Sequence, residues 1–135
     1  MVYITRRMTF SAAHRLHNPE LSDEENRKIY GPCNNPMGHG HNYVLEVTVK
    51  GEPDQKDGII IDLVKLRDII SRNIIAKVDH KFLNHQVDFL KGIIPTAENL
   101  VVHFWGVLEN KIPRGTLYEI RLYESENNSA FYRGE

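Results

Sequence analysis

The sequence predicts an α+β domain, an antiparallel sheet covered on one face by two helices, and three observations predict it. Residues 39–50 alternate strictly. His39, His41, Tyr43, Leu45, Val47 and Val49 fall on one parity, and Gly40, Asn42, Val44, Glu46, Thr48 and Lys50 on the other, the period of a strand with its odd positions inward. Two later stretches carry the helical period instead: Leu63, Leu66, Ile70 and Ile74 with Ile69 and Val78 at the margin, then Leu100, Phe104, Val107 and Leu108. The chain order, strand, strand, short strand, two helices, strand, separates the two kinds of element as α+β folds do.

Taken in order, residues from about Tyr3 to His14 form the first strand. Tyr3, Thr5, Met8, Phe10 and Ala12 are its wall positions, which requires a bulge near Arg6-Arg7. Residues 15–38 make a long connection, of the kind that in compact domains is functional or disordered. This one has internal order. Ser22-Asp23-Glu24-Glu25 is a capping box that opens a short helix to about Tyr30, and residues 31–38 are turn chemistry throughout. After the strand at His39, Asp57-Gly58 is a turn signal and Ile59-Ile60-Ile61 reads as a short buried strand. Asp62 N-caps the first long helix, which ends near Val78-Asp79-His80; Thr96 caps the second, which closes before Pro113. Tyr118, Ile120, Leu122 and Glu124 share a face of the last long strand, and Phe131-Tyr132 returns as a short one. A sheet of this size has two open edges and is expected to continue into another subunit.

Composition narrows the function classes. The 135 residues are read as one domain, 1–135, and the net charge of −1 argues against a nucleic-acid footprint. A lone cysteine excludes an internal disulfide framework and suits a reducing compartment; the N-terminus carries no apolar run long enough for a signal peptide or membrane span. A cytoplasmic protein is expected.

Three histidines carry the first chemical signal. On a strand, His39 and His41 point the same way, roughly 6–7 Å apart. If the first two strands pair antiparallel, His14 at the end of one lies beside them at the start of the next, supplying the third nitrogen of a catalytic-type zinc site with an open fourth position. Two histidines so spaced are otherwise plain structure. Cys33, the only thiol, lies in the loop above them and has three readings: a small buried hydrophobe, a proton-transferring base or nucleophile, or a fourth zinc ligand. Asp79-His80 is either the orienting half of a triad or a solvated helix end, and adjacent side chains rarely face each other. Glu124 ends an apolar row, where a carboxylate can accept two parallel N–H bonds from an amidine-like ring edge such as a guanine or pterin. His17, His85 and His103 carry no local signal and read as surface or helix-face residues.

The runs Phe10-Ser11-Ala12-Ala13-His14-Arg15-Leu16, Cys33-Asn34-Asn35-Pro36, Gly38-His39-Gly40-His41-Asn42-Tyr43, Val78-Asp79-His80-Lys81-Phe82-Leu83-Asn84, Thr96-Ala97-Glu98-Asn99 and Tyr123-Glu124, all in register, resemble the 6-pyruvoyl-tetrahydropterin synthase family over nearly the whole chain. The resemblance implies the tunnelling fold, with trimers joining sheets into a barrel and two trimers stacking as a hexamer. It implies one zinc per chain on His14, His39 and His41, and a cysteine base with an aspartate–histidine partner at Cys33, Asp79 and His80. Pterin contacts are implied at Glu124, Thr96 and Glu98. The implied reaction eliminates triphosphate from 7,8-dihydroneopterin triphosphate with internal redox of the side chain, in tetrahydrobiopterin biosynthesis, with magnesium accompanying the triphosphate. Active sites at subunit interfaces would let Asp79-His80 serve a neighbour's Cys33.

Ala97 stands where relatives carry a hydroxyl residue, at the cost of one pterin contact, and Met37 where some carry asparagine. Two alternatives stand beside this reading. One is the sister enzyme 6-carboxy-tetrahydropterin synthase of the queuosine pathway, in which the interval from cysteine to His-Gly-His is shorter; residues 34–38 favour the pyruvoyl enzyme. The other is a non-catalytic zinc- or pterin-binding oligomer, against which the intact set of Cys33, Asp79, His80 and Glu124 argues.

Overall fold

A computed structural model describes residues 1–135. Two long strands form its frame: β1 (Val2–His14) and β2 (His39–Gly51) pair antiparallel in one unbroken register from Val2↔Gly51 to His14↔His39. The expected bulge at Arg6-Arg7 is therefore absent. Ile4, Met8, Phe10, Ala12 and His14 face inward, while Tyr3 and Thr5 lie on the exposed face, because strict alternation from the buried end leaves no other assignment. The irregularity falls instead where β4 (Thr116–Tyr123) meets β2, between Thr48 and Val49. It makes Leu117 rather than Tyr118 the buried partner of the apolar row Ile120 and Leu122, and Tyr118 packs edge-on against Tyr3.

The sheet has five strands in the order β3-β1-β2-β4-β5. β5 (Ser129–Tyr132) pairs antiparallel with β4, as the Phe131-Tyr132 reading expects. β3 (Lys81–Phe82) was not expected from the sequence and runs parallel to β1, so the sheet is mixed. The Ile59-Ile60-Ile61 strand does not form. Those residues pass under the sheet as irregular chain, with Ile60 and Ile61 buried and Ile59 exposed.

One short helix and two long stretches of helix complete the chain. α1 (Asp23–Tyr30) carries the expected capping box: the Ser22 hydroxyl accepts from Glu25 N, and the Glu25 carboxylate accepts from Ser22 N. α2 (Leu63–Ile70) is N-capped by Asp62, whose carboxylate accepts from the amides of Val64 and Lys65; such caps contribute about 1 kcal/mol. Leu63, expected on its apolar face, is exposed. The helix then opens into a π-turn, Ser71–Ile75, before a last α-turn, α3 (Ala76–Val78). The cause is legible in the apolar spacing. Leu66, Ile70, Ile74 and Val78 are all fully buried and spaced by four. At about 100° per residue, three such steps drift about 120° around an α-helix. A π-turn absorbs one extra residue and brings the four back to one face. α4 (Ala97–Leu108) is capped by Thr96 and buries Leu100, Val101, Phe104 and Leu108 against the same inward sheet face.

Candidate active site

His14, His39 and His41 converge at the end of the sheet where β1 stops and β2 starts. One nitrogen from each lies within 4.8 Å of the other two. His14 is fully buried, and its Nε2 stands 3.1 Å from Nε2 of His39. Its Nδ1–H donates to the carbonyl of Pro95 at 2.7 Å, with the Tyr43 hydroxyl 3.3 Å from the same nitrogen. That fixes the tautomer: the proton sits on Nδ1 and the Nε2 lone pair faces the other histidines. Tetrahedral coordination at 2.0–2.1 Å spaces ligand nitrogens about 3.3 Å apart, close to the His14–His39 separation. Nδ1 of His39 and Nε2 of His41 are buried with no hydrogen-bond partner. Burial holds the His14 and His41 pKa below the ordinary 6.5, against the raising influence of the Pro95 carbonyl on His14 and of Glu124 on both. His14 and His41 are thereby held in the neutral form at pH 7, the form that binds metal. By donor type, spacing and charge state the residues fit a divalent metal such as zinc.

Glu124 follows β4 and its amide donates to the carbonyl of Asn128. One carboxylate oxygen lies 3.6 Å from His41 Nε2 and the other 4.0 Å from His14 Nε2. The carboxylate is 28% exposed, so it borders the cluster and remains reachable. Burial, seconded by Glu124, pushes the Tyr43 phenol far above its ordinary range, which keeps that hydroxyl neutral.

Cys33 sits in a 3-10 turn, Gly31–Asn34, half-buried. Its sulfur belongs neither to the three-nitrogen cluster nor to any hydrogen bond. The turn is stitched to the chain leaving His14. Leu16 N donates to Cys33 O, Arg15 Nε donates to Asn34 O, and the Asn34 amide donates to Leu16 O and to His17 Nδ1. His17 is thus a half-buried part of this seam rather than a surface residue. Gly38 closes the loop at φ +75°; a side chain there would drive its Cβ to 2.6 Å from the Phe82 ring.

Asp79 and His80 do face each other. His80 adopts a left-handed conformation, φ 60°, which turns its ring back so that Nδ1 lies 3.0 Å from the Asp79 carboxylate. The objection about adjacent side chains fails for that reason. The same carboxylate oxygen accepts from Ser11 N, and His80 N donates to Ser11 O. The Ser11 amide, then the His80 ring, hold the Asp79 pKa below the usual carboxylate range. The His80 ring is 82% exposed and makes no hydrogen bond to Cys33 of its own chain; it borders a groove of about 450 Å³ that also reaches His41. Thr96 spends its hydroxyl lone pair on the α4 cap beside Pro95, while Glu98 is exposed and bonds to none of these groups. Sequence reasoning missed Pro95, Asn34 and Asn84. Asn84 accepts from Arg15 N and donates to Arg15 O, clamping the residue after His14.

The profile of the 6-pyruvoyl tetrahydropterin synthase family matches residues 3–135. The chain belongs to that family. It is 47% identical to the 6-pyruvoyl tetrahydrobiopterin synthase of Poecilia reticulata over 98% of this chain and 90% of the relative. Its fold superposes on the solved 6-pyruvoyl tetrahydropterin synthase of Caenorhabditis elegans with a TM-score of 0.94, at 39% identity, covering 99% of this chain and 96% of the other. The chain is also similar, at 28% identity, to the 6-carboxy-5,6,7,8-tetrahydropterin synthase of Rickettsia typhi, over 94% of this chain and 96% of that one. No helix is long and apolar enough to cross a membrane.

Proposed function

We propose that the chain is a zinc-dependent lyase that converts 7,8-dihydroneopterin triphosphate to 6-pyruvoyl-tetrahydropterin with loss of triphosphate. The observation that carries this is the convergent three-imidazole cluster with Glu124 on its border, in a chain far more similar to the pyruvoyl than to the carboxy synthases. His14, His39 and His41 would hold one zinc per chain. Bound there, zinc polarises the oxygens of the substrate side chain and acidifies the neighbouring C–H and O–H bonds.

The chain's own residues do the rest. Glu124, desolvated on one side and open on the other, accepts the paired N–H donors of the pterin edge. Thr96, at the α4 cap, is a second ring contact, with Glu98 at the outer rim. Cys33 is the base: three imidazoles supply the protein's share of the site, and its sulfur lies outside that share, free to pass a proton between carbon and oxygen. Asp79, anchored on Ser11, orients His80 through Nδ1 and leaves Nε2 outward. His80 is exposed and forms no hydrogen bond with its own Cys33, which favours its serving Cys33 of a neighbouring subunit. The outer edge of β1 has no strand beside it from Val2 to Phe10, which favours assembly through shared sheets into a hexamer of two stacked trimers. A magnesium ion accompanies the triphosphate, and the cytoplasm suits a chain with one unpaired thiol.

Product analysis by mass spectrometry after incubation with 7,8-dihydroneopterin triphosphate tests this. The expected product is 6-pyruvoyl-tetrahydropterin. A product that has lost a two-carbon fragment would replace the reading with the carboxy enzyme; tight pterin binding without turnover would replace it with a binding protein.

A further inference from the structure

We propose that a second cavity, walled by the residue after His14 and the residue before Pro95, seats the phosphate chain of the substrate; that ligand class rests on the reaction proposed above. The cavity encloses about 250 Å³ and is bordered by Arg15, His17, Asn84, His85, Gly92 and Ile94, and none of its lining residues is acidic. Arg15 directly follows His14, and Ile94 directly precedes Pro95, whose carbonyl holds His14. The two segments that fix the buried histidine therefore continue outward as the cavity's walls.

Each wall supplies unspent donors. Arg15 uses only Nε, on the Asn34 carbonyl, and makes no ion pair, so both terminal nitrogens of its guanidinium are free to fork onto phosphate oxygens. Its backbone is clamped on both sides by Asn84, with both bonds at 2.8 Å, which fixes the root of the side chain. The tautomer of His17 follows from its neighbours. The Asn34 amide nitrogen must face the Leu16 carbonyl to donate to it, so the same group also donates to His17 Nδ1, and the ring proton sits on Nε2. His85 is held flat against Phe82, ring centroids 5.2 Å apart. The amides of Gly92 and Ile94 make no hydrogen bond within the chain. A cavity with one guanidinium free of any ion pair, two imidazoles and two spare amides, and no carboxylate, favours a polyanion.

Calorimetric titration of the zinc-loaded protein with inorganic triphosphate, and separately with 7,8-dihydroneopterin, tests the assignment, with zinc content checked before and after. Arg15→Gln should weaken inorganic triphosphate binding about 10–100-fold, the loss of charge-assisted hydrogen bonds. His85→Ala, at an exposed position that cannot unfold the core, should weaken it about 3–10-fold. Both should bind 7,8-dihydroneopterin as the parent does. Unchanged triphosphate binding in both variants, or equal losses for the two ligands, overturns the assignment. Arg15-dependent triphosphate binding in a protein that ignores 7,8-dihydroneopterin would leave the cavity standing and remove the reaction. Normal 6-pyruvoyl-tetrahydropterin formation with Arg15→Gln at unchanged KM would do the reverse.

Discussion

The histidine cluster and the Asp79-His80 pair are both anchored on the last four residues of β1, and they contrast in how much of their surroundings the chain supplies. His14 is fully buried, its outer nitrogen is bonded to Pro95, and two further imidazoles and a carboxylate meet it within one chain. Asp79 is equally well fixed, by Ser11, but the ring it orients points into solvent with no partner of its own. A metal site needs several ligands at once with their angles set, and here one folded unit brings all three candidate ligands together. The relay proposed above needs only one group delivered to another, and that delivery can be left to assembly.

The contrast can be broken by experiment. His41→Ala should lower zinc from one per chain to near none by elemental analysis; full occupancy in that variant would remove it as a ligand. Cys33→Ala should keep zinc, oligomer and pterin binding while turnover falls about 10²–10⁴-fold, the usual cost of a lost base. Loss of zinc with activity would make Cys33 a ligand. Mixing Cys33→Ala with His80→Ala chains, after dissociation and reassembly, should restore part of the activity if the relay crosses subunits, and none if it does not.

Glu124→Gln sharpens the comparison from the other side. It replaces an acceptor oxygen by a donor and should weaken a pterin analogue about 10–100-fold by equilibrium dialysis. Unchanged binding would place the ring elsewhere. Gly38→Ala addresses the loop that holds Cys33. The positive φ and the contact with Phe82 should together cost about 1–3 kcal/mol in denaturant unfolding. The smallest effect is on pH. The folded-state pKa values of His14 and His41 lie below the unfolded 6.5, so the unfolded chain takes up protons first as pH falls. Metal-free protein should therefore lose stability from about pH 6.5 downward and be indifferent above it, read as the melting temperature.

Much of this was legible in the residues because it is local or periodic. The inward parity of β2 places His39 and His41 on one side, and antiparallel pairing then delivers His14 without further assumptions. The caps at Ser22, Asp62 and Thr96 form as their side chains dictate. What was not legible depends on long-range fit. β3 is two residues long and exists because Ser11 and Ala13 on β1 bond the chain around it. Tyr118 lost its inward position to a bulge set by the partner strand, and Tyr3 and Thr5 were misplaced because inward Arg6 looked like a break in the pattern. Asn34, Asn84 and Pro95 act through amides and a carbonyl, which carry no sequence signature of their own.

The π-turn at Ser71–Ile75 also sets the phase of everything after it. Asp79 meets the Ser11 amide only because the helix ends where it does. Deleting one residue from the turn would restore a plain α-helix and leave the following chain in phase, because the residue removed is the one the wide turn absorbs; deleting two would swing it by about 100° and carry the carboxylate off β1. The segment therefore tolerates the loss of one residue and not of two: in a deletion scan of residues 71–75, single deletions should keep turnover, double deletions should forfeit it while metal binding at the three histidines persists, and alanine at the exposed Arg72 should change neither.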